Sequence, residues 1–328
     1  MTVFLAELGK KLAERWLTLL VLPGLVYLTC AVVAATLRHG RALDVAALRD
    51  TANRIAAQPA SASPGAVLLA AAGILAAAAA AALTAAALGQ AVERVWTTPG
   101  RNPLARRLTE RRRKRWDEAD ARVRREITAA VRAGAGSAPQ VSGAPAHEVG
   151  DAIGARNAIG LTRPQRPTWI GDRLYAADQR VHAAYDLDLD SAWPRLWLIM
   201  PEQTRAELTV ARDNHTAAAR LAGWAILYLP LGWWWWPAIP VTVAIALTAR
   251  VRARQAAAVL ADLVEATVDL YGRDLAVQLG ISHDGPLTRQ TGLAITGTLR
   301  KDLESLPAVP ATSVEQRAVP EVRDRDTS

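Results

Sequence analysis

The chain holds a single cysteine, Cys30, and it lies inside an apolar run. That excludes an internal disulfide and a metal site built on thiolates. Lysine is almost missing, with only Lys10, Lys11, Lys114 and Lys301, so arginine carries the net charge of +8. The histidines His39, His147, His182, His215 and His283 are scattered, and no pair has HExxH spacing. No glycine-rich loop ends in GK[ST], and no GxSxG elbow occurs. The signatures of the commonest hydrolytic and nucleotide-binding sites are therefore absent, and no cofactor is implied. The apolar runs also carry almost no ionisable side chains. Coupled transporters place Asp, Glu, His or Arg inside the bilayer. Coupled transport is thus disfavoured, while a passive pore built by oligomers stays open.

What the chain has instead is apolar length. It is 51% hydrophobic, and the apolar residues gather in three blocks. The abundant alanine matches the coding bias of a high-GC bacterial genome and says nothing about chemistry. The most informative block is 217–249, AAARLAGWAILYLPLGWWWWPAIPVTVAIALTA, which breaks at Pro230, Gly232 and Pro237. One straight helix of that length would run roughly 50 Å, far beyond a hydrocarbon core of about 30 Å. Beside the break stand Trp233, Trp234, Trp235 and Trp236, and tryptophan collects at the headgroup level of a bilayer. The block therefore reads as a helical hairpin, with arms at 217–232 and 233–249. Each arm is short, so both a full crossing and a re-entrant hairpin fit.

The other two blocks read as single spans. The run 16–37 has the length of a span and is too long for a signal core. Pro23-Gly24 predicts a kink within it. Before it, 1–15 is a short amphipathic helix carrying Val3, Phe4, Leu8 and Leu12 on one side. The second span, 65–92, is mostly alanine, with small residues at every fourth position: Gly73, Ala77, Ala81, Ala85 and Gly89. Such a stripe lets a second helix approach closely. Between the spans, 38–64 is a connector with a small helix capped by Asp44.

Positive charge orients the spans. Lys10, Lys11 and Arg15 precede the first, and Arg94, Arg101, Arg106 and Arg107 follow the second. Arg220 precedes the hairpin, and Arg250, Arg252 and Arg254 follow it. With basic residues favouring the cytoplasmic side, both ends of the chain and the stretch 93–216 face the cytoplasm. The outer loop carries Arg38, Arg41, Arg49 and Arg54 as a weak violation. The expected fold is all-α: four membrane segments in two hairpins, plus a cytoplasmic helical module. That module combines the basic loop 93–216 with a helical tail at 250–306, ahead of a disordered tail at 307–328.

Within 93–216, Asn102 and Pro103 open a helix that runs to about Val131. Its first half holds Arg106, Arg107, Arg111, Arg112, Arg113, Lys114 and Arg115 against one acid, Glu110. So close to a span, this face is expected to contact anionic lipid. The aromatic interleaving of a nucleic-acid site is missing, so no nucleic-acid partner is expected. Residues 133–150 read as a flexible linker. In the tail, Val259, Leu263, Ala266, Leu270 and Val277 form an apolar stripe, and Gly280 is placed to stop the helix.

Asp178, His182 and Asp186 are spaced four apart and would share a helix face. Carboxylates and imidazole in that pattern can hold a divalent metal. A solvated face paired with Arg173 and Arg180 is the plainer account, and it is preferred. The stretches PTWIGDRLYAADQRV, YDLDLDSAWPRLWLIMPE, ARLAGWAILYLPLGWWWWPA and LVEATVDLYGRDLAVQLG resemble uncharacterised multi-pass membrane proteins of high-GC Gram-positive bacteria. That resemblance covers roughly 150–280 and carries no known activity. The leading expectation is a non-catalytic, membrane-anchored scaffold in the bacterial plasma membrane that presents its module to a cytosolic protein, homo-oligomeric or not. The alternatives are an oligomeric pore or passive transporter, and a metal-dependent membrane enzyme using Asp178, His182 and Asp186.

Overall fold

The computed structural model describes residues 21–57, 63–100, 102–135, 143–283 and 285–300. Among them every regular element is a helix. The expected amphipathic helix at 1–15, the first part of the 16–37 span and the tail beyond 300 lie outside the described residues.

Helix α1 (Leu22–Leu37) is apolar and carries Pro23 in its first turn. Helix α2 (Val45–Ala56) follows, and its Ala47 N–H donates to the Asp44 carboxylate at 3.1 Å. Helix α3 (Pro64–Thr97) begins at a Ser63 cap and runs for 34 residues, about 51 Å at 1.5 Å per residue. It extends past the expected end at 92, because no breaker occurs before Pro99. Among the described helices, α3 alone is both long and apolar enough to cross a membrane, and α1 is apolar but shorter.

The basic stretch forms α4 (Pro103–Ala135), and α5 (Gly143–Ile159) lies against it. At both ends of the linker expected at 133–150 the described residues are helical, to 135 and again from 143. Alanine and the tertiary contacts of α5 outweigh the local glycine signal. Helices α6 (Trp169–Tyr185) and α7 (Leu189–Ile199) come next.

Helix α8 (Glu202–Tyr228) then enters the apolar hairpin without interruption. The turn holds a one-turn helix, α9 (Leu231–Trp234), and the chain leaves it as α10 (Ala238–Gln278), 41 residues long. The expected boundary between the arms at 232/233 falls inside α9. Pro230 and Pro237 place the reversal over 229–237, because each proline opens a helix better than it continues one. Helix α10 ends where Gly280 takes φ 71°, with Ile281 N–H donating to Ala276 O at 3.0 Å, a Schellman stop. Helix α11 (Arg289–Leu299) follows.

Helices α1, α3, α8 and α10 pack side by side at one end of the molecule. There Tyr27, Trp224 and Tyr228 form an aromatic cluster over Ala82 and Ala85. The small-residue stripe is only half used. Ala85 and Gly89 are buried and Ala81 is partly so, but Gly73 and Ala77 are exposed, and the buried row is Ala78, Ala82, Ala85 and Gly89. A strict four-residue spacing drifts about 40° around a 3.6-residue helix at each step. A straight contact row must alternate three and four, as the buried one does. At its lower end this row meets Ala219 and Gly223 of α8. A Cβ on Gly223 would collide with Ala85 O, and one on Gly89 would lie 2.8 Å from Arg220 Cα. Gly24 meets Ala78 in the same way, and the part of the span that the expected kink would bend lies outside the described residues.

The other end is a second bundle. Distal α10 packs with α6, α7 and α11 around Val181, Leu187, Leu196, Val268, Leu275 and Ile295. Since α8 and α10 run through both ends, no linker separates the two.

Candidate functional site

At the turn end, the tryptophans meet the connector after α1. Trp235 Nε1 donates to Ala42 O at 2.8 Å, and His39 Nδ1 lies 2.7 Å from Trp234 O. Trp233 is 82% exposed, and Trp234 and Trp236 are exposed as well.

The segment 160–168, between α5 and α6, is held from two sides at the opposite end of the apolar bundle. The Thr168 hydroxyl caps α6 by accepting from Gly171 N–H at 3.0 Å, and donates to Trp96 O of α3 at 2.6 Å. Arg166 donates to Thr97 O. On the other side, Arg112 of α4 pairs with buried Asp172 and donates to the carbonyls of Ile159 and Arg166, each at 2.8 Å. Asp172 also accepts from the backbone N–H groups of Gln165 and Arg166 at 2.8 and 2.7 Å. Arg113 donates to Pro164 O at 2.8 Å, and Trp116 Nε1 to Gly160 O at 2.9 Å.

The basic face of α4 is therefore divided. Arg112 and Arg113 turn inward as clamps, a role the charge run does not reveal. Arg106, Arg107, Arg111, Lys114 and Arg115 are exposed, with no acidic partner among the described residues.

Where these elements converge they enclose an open cavity of about 680 Å³. Val92, Ala222, Ala225, Ile226, Ala246 and Ala249 form its apolar wall. Arg112, Arg115, Arg250 and Arg254 form its rim, with Trp96 and Trp169 between wall and rim. Arg254 lies over the Trp169 ring, its Cζ 4.4 Å from the centroid. Burial, and then the neighbouring Arg250 and Arg112, hold its guanidinium pKa below the ordinary value. Asp172 is the one acid paired with this rim among the described residues.

The Asp178, His182 and Asp186 set is not assembled into a donor cluster. Asp178 is half-buried and His182 is exposed. Asp186 leaves the helix face, because it caps α6 in the left-handed region at φ 49°. Burial, then Asp190 and Asp188, push the Asp178 carboxyl above its usual range. Arg173 pairs with Asp262 and Glu265 of α10, and Arg180 with Glu265 at 3.1 Å. Among the described residues, no three His, Cys, Asp or Glu side chains could hold a metal ion together.

Buried His215 stacks near Trp96, ring centroids 5.9 Å apart, and neither ring nitrogen has a partner among the described residues. Burial lowers its pKa, against an opposing push from Glu93.

The stripe Val259, Leu263, Ala266, Leu270 and Val277 is coherent, falling within about 60° of arc at 3.6 residues per turn. It faces outward. Val259, Ala266, Leu270 and Val277 are exposed and Leu263 is half-buried, while the core takes Ala253, Ala257, Ala261, Val268, Leu275 and Ala276. Alanine on that inner face lets α8 and α6 approach closely, so the larger side chains are left outside. No known protein family matches the chain, and neither a curated protein nor a solved structure does.

Proposed function

We propose that the chain is a multi-pass protein of the bacterial plasma membrane. Segments at α1, α3 and the two hairpin arms lie in the bilayer, and both ends of the chain face the cytoplasm. The second bundle is then a cytoplasmic docking module, held rigidly at the membrane and non-catalytic. The observation that carries this reading is the outward stripe on α10. Its exposed Val259, Leu270 and Val277 form an apolar row on the module, away from the apolar bundle. Such a row is costly to leave wet and is the usual mark of a protein partner. The exposed Leu68, Leu69, Ile74 and Leu83 of α3 and Ile239 and Leu247 of α10 support the membrane placement. The exposed arginines of α4 fit contact with anionic headgroups.

A photo-crosslinking side chain placed at Leu270 or Val277 in the full-length protein, in its own membrane, tests the reading. One defined cytosolic protein should be captured from both positions and from neither Glu207 nor Arg122. Leu270→Glu with Val277→Glu should abolish capture without lowering Tm. Replacing Asp178, His182 and Asp186 with Ala should leave capture and phenotype intact. Loss of phenotype in that triple variant, with the protein inserted and folded, would overturn the docking reading in favour of an enzyme.

A further inference from the structure

The cavity between the two bundles has a chemistry that the docking role does not use. It is amphipathic in a fixed direction. Ile226, Ala222 and Ala246 lie on the side of the apolar bundle, while Arg115, Arg250 and Arg254 lie toward the charged helices. Charge on the rim is uncompensated, since four arginines meet one acid, and that acid is fully engaged by Arg112 and two backbone N–H groups. Arg254 is half-buried with no acid against it, and its stacking on Trp169 fixes the guanidinium plane at the rim. A partly buried cation beside other cations is unfavourable unless an anion joins it. Guanidinium is also the group best suited to grip a phosphate through paired donors. The volume of about 680 Å³ lies within the range of ligand pockets.

We propose that this cavity binds the phosphate head of one anionic phospholipid from the cytoplasmic leaflet, with an acyl chain along Ile226 and Ala246. This rests on the membrane placement above and extends it from diffuse surface attraction to one defined site. Arg250 and Arg254 of α10 and Arg115 of α4 hold the phosphate. Trp96 and Trp169 sit at headgroup depth, where their rings face both apolar and polar surroundings. The lipid joins α3, α4, α6, α8 and α10 at the place where apolar bundle and module meet. It is therefore a structural ligand of the junction and not a substrate.

Native mass spectrometry on the full-length protein, released from phosphatidylcholine discs doped with phosphatidylglycerol, reads the site directly. Wild type should retain one phosphatidylglycerol. Arg250→Gln with Arg254→Gln should lower retention about tenfold or more, as expected for two lost basic contacts. Ala246→Trp fills the apolar wall from an exposed position without touching charge, and should also lose the lipid. Arg106→Gln with Arg107→Gln should keep it. Equal retention of phosphatidylcholine, or retention unchanged in both cavity variants, would overturn the proposal. Displacement by millimolar inorganic phosphate would overturn it too, and would assign a free-anion site instead. Cysteine labelling on intact cells reads the membrane placement independently, so the two failures are distinguishable.

Discussion

At the residue scale, the side chains that matter most are those whose partners lie far away in sequence. The clamp role of Arg112 is invisible in an RRRKR run, because it depends on a carboxylate 60 residues away. Removing such a partner strands a buried charge, at a cost of about 3–5 kcal/mol. His215 is similar: its neighbour Trp96 comes from a different helix. Its pKa lies below the ordinary 6.5 because burial disfavours the imidazolium. A base held low in the folded chain keeps its full stabilising effect above its unfolded value, and loses it as pH falls from there through the folded value. Lowering pH from 8 to 5 should therefore lower Tm in a neutral detergent, and His215→Phe should flatten that slope. Asp188, held low by Ser191 and then Arg300, and Asp120, held low by Arg124 and Arg156, fall below the usual 3.8 and stay out of this window. An unchanged slope in the variant would mean that another group sets it.

At the element scale, helix content and stops were largely legible. Proline, glycine and cap residues act through local backbone geometry, so Asp44, Pro237 and Gly280 mark ends that the structure keeps. The facing of each helix was less legible. Which side of α10 is buried depends on what packs against it, and alanine on the inner face won over valine and leucine on the outer one. On α3 the four-residue stripe and the buried row share Ala85 and Gly89 and part at the other end, and nothing in the sequence marks Ala219 and Gly223 of α8 as their partners. The contrast yields a test. Gly223→Ala must push α8 away from Ala85, at about 1–3 kcal/mol for such overpacking, and should lower Tm by several degrees. Gly73→Ala meets nothing within 4 Å, and should leave Tm unchanged or slightly higher. Equal effects would mean that the crossing is looser than the close approach at Ala85 and Gly89.

At the scale of the whole molecule, the two ends of the apolar bundle have different neighbours. The connector 38–44 and the tryptophan turn share one end, while the carboxyl end of α3 meets the 160–168 segment at the other. Combined with the proposed membrane orientation, this arrangement predicts labelling from outside intact cells. In a Cys30→Ala background, cysteine at exposed Asn53 should react with an impermeant thiol reagent, while cysteine at Ala121 or Thr298 should not. Reaction at Thr298 and not at Ala121 would reduce the hairpin to a single crossing. The cavity could not be read from the sequence, because its lining comes from six helices and one loop, each contributing two to four unremarkable residues.

The unbroken passage of α8 and α10 through both bundles has a mechanical consequence. A flexible joint would isolate the module from whatever happens at the apolar end, whereas a pair of rods acts as a lever. From Ala249 to Gln278 the α10 axis spans about 43 Å at 1.5 Å per residue. A change of about 10° in hairpin tilt would therefore carry the far end roughly 7 Å sideways. Tilt is also the coordinate by which a helix accommodates bilayer thickness. The outward stripe sits on the moving arm of that lever, so under the proposed membrane placement its position is geared to the state of the bilayer.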